Sequence, residues 1–137
     1  MGVKVTKGER KYLTYLYEVE AYGGKRIGTT KIAKALNVSP PTAVEALQKL
    51  HNKGLVDFVK RKGVRLTGEG VRIVRRILRK HRILEILFFN STRLPLEEIC
   101  QCIEKIDVEI DDKLVDKIYV NLGMPKFCPH GKEIPQW

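Results

Sequence analysis

A mainly α-helical fold in two parts is predicted by three features of the sequence. Apolar residues recur at helical spacing in six segments, two short β-rich runs flank a basic turn, and the charge balance reverses along the chain. With 137 residues the chain can form one domain or two small ones sharing a core. It carries 26 Lys and Arg against 16 Asp and Glu, a net charge of +10. Residues 1–70 hold +8, residues 71–93 hold +6 and residues 94–137 hold −4. A chain basic for its first two thirds and acidic at its end is expected to turn one face toward a polyanion.

Several classes fall away on the same reading. No apolar stretch approaches the roughly 18 residues of a membrane span, and the N-terminal MGVKVTKGERKY lacks the apolar core of a signal peptide. Three cysteines are too few for a disulfide framework and point to a reducing cytoplasm. Phosphate-cradling glycine loops, Gly-x-Ser-x-Gly elbows and His-Glu-x-x-His motifs are missing from the sequence, so no enzyme is expected.

The elements follow in order. From Lys7 to Tyr22, the residues Tyr12, Leu13, Leu16 and Val19 recur at helical spacing, and Gly23-Gly24 ends the run as a left-handed cap would. Thr29-Thr30 supplies a capping position for a short second helix with Ile32, Ala33 and Leu36. Ser39 caps a third, Pro40 and Pro41 fit its first turn, and Val44, Leu47 and Leu50 share one side. Leu55–Val59 and Val64–Thr67, joined by Lys60-Arg61-Lys62-Gly63, read as a hairpin. A long helix runs from about Gly68 to Asn90, with Val71, Val74, Leu78 and His81 opposite Arg72, Arg75, Arg76 and Arg79. Its second half, Ile83 to Phe89, is apolar almost all round and suggests an oligomer interface. Leu96, Ile99, Ile103 and Ile106 mark a fifth helix, and Leu114, Val115, Ile118 and Leu122 a sixth. The Pro- and Gly-rich tail from Gly123 to Trp137 reads as irregular.

Helix, helix, tight turn, helix and basic hairpin is the order of a winged helix-turn-helix, which reads the major groove with one helix and touches the backbone with its hairpin. Ser39, Pro40, Pro41, Thr42 and Glu45, early in the third helix, are the candidate base-facing residues. Lys49 and Lys53 on that helix, with Lys60, Arg61, Lys62 and Arg65 on the wing, are placed for phosphate contacts. Double-stranded DNA is therefore the expected partner.

The stretches Tyr12–Glu18, Ile32–Thr42, Lys53-Gly54-Leu55-Val56, Leu66–Gly70, Arg79–Glu85 and Cys128–Pro135 fall in the order and spacing of one family. The chain resembles the metal-dependent iron/manganese repressors related to the diphtheria toxin repressor and the manganese transport regulator. That resemblance covers nearly the whole chain. It implies a winged-helix DNA-binding domain over 1–70 and a helical dimerisation and metal-binding domain over 71–137. It also implies a homodimer controlled by a divalent transition metal (Fe, Mn or Zn), repressing through palindromic operators. The chain stops where longer relatives add a small β-barrel domain, so it looks like a short form.

One family site, carried over by resemblance, would use His81 and Glu85 with a third ligand near Glu97. His81 and Glu85 stand i, i+4 on one helix face, from which an imidazole and a carboxylate can reach one ion. The family's other site departs in this sequence. Lys11 stands where the first helix supplies a ligand, Glu104 remains, and Lys105 replaces a His. Gln101 falls at the Cys/Glu position, which Cys100 reaches only with one inserted residue. An ammonium from Lys11 or Lys105 beside Glu104 could replace the cation and hold the domains without metal. Cys100 and Cys102 both fall at core spacing, where cysteine is usually an inert small hydrophobe. A softer site using Cys100 or Cys102 with Cys128 and His130 would suit zinc.

Asp107-Val108-Glu109-Ile110-Asp111-Asp112 begins like a calcium loop but lacks the Gly and Glu that such a loop requires, and its carboxylates suit the dipole of the helix that follows. His51 reads as a surface or phosphate-contacting residue. The expectation is a cytoplasmic, homodimeric winged-helix repressor. Its rivals are a family member with a degenerate metal site, free of metal or answering to redox state or a partner, and a metal-binding protein with incidental DNA affinity.

Overall fold

The computed structural model describes residues 3–136. It contains helices α1 (Lys7–Glu18), α2 (Thr29–Leu36), α3 (Pro40–Asn52), α4 (Gly68–Thr92), α5 (Leu96–Glu104) and α6 (Asp112–Asn121), and strands β1 (Val56–Val59) and β2 (Gly63–Leu66). The chain forms two compact units, divided between Val74 and Arg75 within α4. Among the described residues no helix is long and apolar enough to cross a membrane.

In the first unit, α1 is started by a capping box. Thr6 accepts from the Glu9 amide at 3.1 Å, and Glu9 accepts from the Thr6 amide at 3.0 Å. The helix ends at Glu18, short of the expected Tyr22, because the following residues pair with the hairpin instead. Ala21 accepts the Leu66 amide at 2.6 Å, and Ile27 exchanges both backbone bonds with Val64 at 2.9 and 2.8 Å. Strand pairing thus wins over continued helix. The α2 cap is Gly28, with no side-chain cap bond, so Thr29 sits inside the first turn rather than before it. Ser39 caps α3 as expected, accepting from the Thr42 amide at 3.3 Å, with Pro40 and Pro41 in the first two positions. The buried stripe of α3 is Ala43, Leu47 and Leu50, which leaves Val44 39% exposed instead of in the core. β1 and β2 are antiparallel, with Val56 opposite Leu66 and Val59 opposite Gly63. The core gathers Leu13, Leu16, Ile32, Leu47, Leu50 and Val64.

The second unit is built on α4. Ile83 and Leu84 pack with Ile99 and Ile103 of α5, Val115 and Tyr119 of α6, and Ile134 of the tail. Ile86, Leu87, Phe88 and Phe89 are half-buried against the same cluster. The basic side of α4 is internally paired. Arg76 and Lys80 reach Asp112, Arg79 reaches Asp116 at 3.0 Å, and Arg82 donates to the Glu133 carbonyl at 2.6 Å. The tail is more ordered than expected: Cys128 donates its amide to Lys132 at 2.9 Å, and Phe127 pairs with Glu133. Trp137 lies outside the described residues.

Gly70 marks a close approach of α4 to the segment leading into the hairpin. A Cβ there would stand 2.0 Å from the Leu55 carbonyl oxygen, whereas one on Gly68 would meet nothing within 4 Å. Gly70→Ala should lower stability by about 1–3 kcal/mol in thermal unfolding, with Gly68→Ala close to wild type. Equal midpoints for the two variants would contradict this packing.

Candidate metal centre and nucleic-acid interface

Glu85 faces inward from the middle of α4, and its side chain is only 4% exposed. An isolated carboxylate at that depth is unfavourable unless it is neutralised and hydrogen-bonded. Two imidazoles do both. His81 Nε2 lies 3.0 Å from one Glu85 oxygen, one helical turn back on α4. His130 Nδ1, from the tail, lies 2.7 Å from the other. Burial alone would push the Glu85 carboxyl upward, but the hydrogen bonds from His81 and His130 and their charges hold it down at about 2.

His81 is held from its far side as well. Its Nδ1 lies 2.9 Å from Asp107 Oδ2, just beyond α5. Ionised carboxylates only accept, so a ring between two of them carries a proton on each nitrogen. Burial opposes that charge, yet the bonds to Asp107 and Glu85 outweigh it and raise the imidazole above its ordinary value.

Two cysteines complete the cluster. Cys100 Sγ lies 3.9 Å from His130 Nδ1. Donor atoms of His81, Glu85 and Cys100 lie within 4.8 Å of one another, and so do those of Glu85, Cys128 and His130. Glu85 belongs to both groups. Burial, then the nearby Glu85 charge, pushes the Cys100 thiol up to about 12. A set of two thiols, two imidazoles and a carboxylate fits a divalent transition ion, with the sulfurs favouring a softer one.

The structure thus brings His81, Glu85 and Cys100 together with Cys128 and His130. Glu97 and Glu104 are exposed on α5, one turn before and one turn after Cys100, outside both groups. Cys102 is exposed, not in the core stripe expected for it, because Ile99 and Ile103 alone form the buried side of α5. Lys105 is the exposed C-cap of α5, and Lys11 is exposed on α1 with its ammonium 5.7 Å from the Tyr12 ring. Sequence reasoning missed Asp107, whose side chain is fully buried. The only available signal was its place one turn on from the core residue Ile103, and the acidic run around it hid that.

On the first unit, Ser39, Pro40, Pro41, Thr42 and Glu45 are all exposed at the start of α3. Ser39 and Thr42 share a hydroxyl bond of 2.7 Å, and Glu45 pairs with Lys49 at 3.6 Å in the open. Lys60, Arg61 and Lys62 are exposed at the hairpin tip, where Arg61 takes a left-handed φ of 69°. Gly28, Thr29, Val44 and Gln48 line a concave surface with the basic turn. Two of the expected phosphate contacts have partners within the unit. Lys53 bonds Glu9 at 2.6 Å, and Arg65 donates to the Gly23 carbonyl at 2.5 Å while pairing with Asp57. His51 accepts the Phe58 amide at 3.1 Å.

Residues 4–64 match the N-terminal DNA binding domain of the iron dependent repressors, and residues 67–136 match their metal binding and dimerisation domain. The chain is 35% identical over 128 residues to an HTH-type transcriptional regulator of Aeropyrum pernix, covering 90% of this chain and 68% of that protein. The manganese regulator SloR superposes with a TM-score of 0.82 at 32% identity, over 96% of this chain and 61% of that one. ScaR with bound Zn2+ superposes with a TM-score of 0.77 at 33% identity, over 93% and 59%. The chain thus spans about three fifths of each of those two solved chains.

The paired charges predict a pH profile for the metal-free protein. The folded His81 value is raised, so its contribution is complete below the ordinary 6.5 and is lost as pH climbs through the folded value. The folded Glu85 value is lowered, so its contribution is complete above the ordinary 4.5 and is lost as pH falls toward about 2. For these two groups stability should peak between about pH 4.5 and 6.5. Glu85→Gln should lower the thermal midpoint more at pH 5.5 than at pH 9; parallel profiles for the two proteins would exclude the charged pair.

Proposed function

The chain belongs to the iron-dependent repressor family, and from that premise we propose that it is a transcriptional repressor of imperfect palindromic operators, active as a homodimer and controlled by a thiophilic divalent ion. The observation that carries the reading is the buried Glu85 carboxylate shared by two donor groups, each containing a histidine and a cysteine. His81, Glu85, Cys100, Cys128 and His130 would hold the ion. Sulfur donors favour zinc or ferrous iron over manganese at such a set. The solved relatives are described as a manganese regulator and as a protein with bound Zn2+, so both metals occur among close structural neighbours.

When bound, the ion would supply positive charge beside the buried Glu85 carboxylate. The residues of the chain do the rest. Glu85 anchors from α4, Cys100 joins from α5, and Cys128 and His130 bring the tail onto the same point. α4 carries His81 and Glu85, and its first turn holds Gly70 against Leu55.

In the DNA-binding unit, Thr42, Pro41 and Val44 present methyl and ring carbons suited to thymine methyl groups, while Lys49, Lys60, Arg61 and Lys62 supply phosphate contacts. A two-fold dimer reads two half-sites separated by whole helical turns. The half-buried Ile86–Phe89 face of α4, with α5 and α6, is the proposed interface.

Elemental analysis and gel shifts test the reading together. The purified dimer should bind zinc or ferrous iron, and chelation should weaken operator binding at least tenfold. Cys128→Ser and His130→Ala should shift the metal needed for half-maximal binding upward. Replacing Arg61 and Lys62 by alanine should reduce the salt slope by about 0.9 for each phosphate no longer neutralised. Operator binding indifferent to chelator, with no metal retained, would overturn metal control.

A further inference from the structure

Asp107 stands apart from both donor groups yet touches their centre. Its side chain is 0% exposed, and its Oδ2 lies 2.9 Å from His81 Nδ1. The opposite nitrogen of the same ring, Nε2, lies 3.0 Å from Glu85. The imidazole therefore stands between the two carboxylates, and Asp107 belongs to neither group of candidate donors.

Its position is fixed from both flanks. The Asp107 amide donates to the Ile103 carbonyl at 2.9 Å, continuing the last turn of α5. Lys80, the residue before His81, donates to the Val108 carbonyl at 3.4 Å and the Ile110 carbonyl at 2.9 Å. Lys80 and His81 thus hold the same short turn from adjacent positions on α4. Removing a carboxylate from water is costly unless specific groups neutralise it, and the His81 ring is such a group.

We propose that Asp107 is a positioning residue for metal capture: it accepts the Nδ1 proton of His81 and thereby holds Nε2 toward Glu85 as the coordinating atom. The inference rests on the reading that the Glu85 cluster takes an ion. A histidine ligand donates its second ring N–H to a carboxylate or carbonyl, which sets the tautomer and increases the basicity of the coordinating nitrogen. Asp107 supplies that acceptor in the interior. It keeps the ring from flipping, and a flipped ring would present Nδ1 to the ion at a different depth.

The test uses the intact dimer and zinc. Asp107→Asn preserves shape and removes charge, and should weaken zinc binding by ~10- to 100-fold, while Asp107→Glu recovers part of the loss. Circular dichroism of each metal-free variant reports folding separately. In the zinc-loaded wild type, long-range proton–nitrogen correlation should show His81 protonated at Nδ1 and metal-bound at Nε2. That measurement decides the matter even where the Asn variant does not fold. Zinc affinity within threefold of wild type in a folded Asn variant, with Glu85→Gln abolishing uptake, overturns the role of Asp107 and leaves the metal site intact. A wild type that takes up no zinc, ferrous iron or manganese overturns both. Nδ1 coordination by His81 overturns the positioning role directly.

Discussion

A buried carboxylate needs a cation, and the second unit is arranged around that requirement at Glu85. Its two oxygens face different imidazoles, one from its own helix and one from the far end of the chain. Meeting the need from so distant a residue forces the tail to turn back on α4, and the Cys128–Lys132 turn is how it does so. The same turn buries Cys128 and leaves Ile134 to fill the core behind it. Charge neutralisation and apolar packing are thus satisfied by one chain reversal. The imidazoles that hydrogen-bond Glu85 are also members of the two candidate donor groups that share it.

The distribution of charge acquires a different meaning from this arrangement. Three basic residues of α4 answer acidic residues of the last third of the chain: Arg76 and Lys80 to Asp112, Arg79 to Asp116. Arg79 also lies 4.6 Å over the Tyr119 ring, adding a cation–π contact to its ion pair. The basic helix and the acidic end are complementary halves of one unit. On the first unit, by contrast, Lys60, Arg61 and Lys62 at the hairpin tip and Lys49 on α3 remain exposed.

Helical periodicity made most of the fold legible, and the polar residues at its ends located several boundaries. Ser39-Pro40-Pro41 marked α3 because cap chemistry acts over three or four residues and leaves a local trace. The end of α1 was not legible, because it depends on Ala21 and Ile27 bonding to a strand some forty residues later. Val44 and Ala43 were exchanged for a related reason: both are apolar, and only the packed partner decides which side of the stripe is buried. In the site, the i, i+4 pair His81 and Glu85 was visible on one helix. Asp107 was not, because its significance comes from a contact across 26 residues and its acidic neighbours suggested simple solvation. The lysines at positions 11 and 105 were legible as departures from a family pattern, which is information of another kind.

The start of α3 carries a consequence of its own. A helix usually opens with amide protons able to receive a phosphate, but Pro40 and Pro41 have none to give. The next two are taken, Thr42 by the Ser39 hydroxyl at 3.3 Å and Ala43 by the Ser39 carbonyl at 3.0 Å. The backbone of this helix tip therefore has no free amide to offer an anion. Two pyrrolidine rings also deprive the unfolded chain of freedom that other residues would keep. The opening backbone of α3 is accordingly fixed by its own sequence, with φ set by the ring at two successive positions.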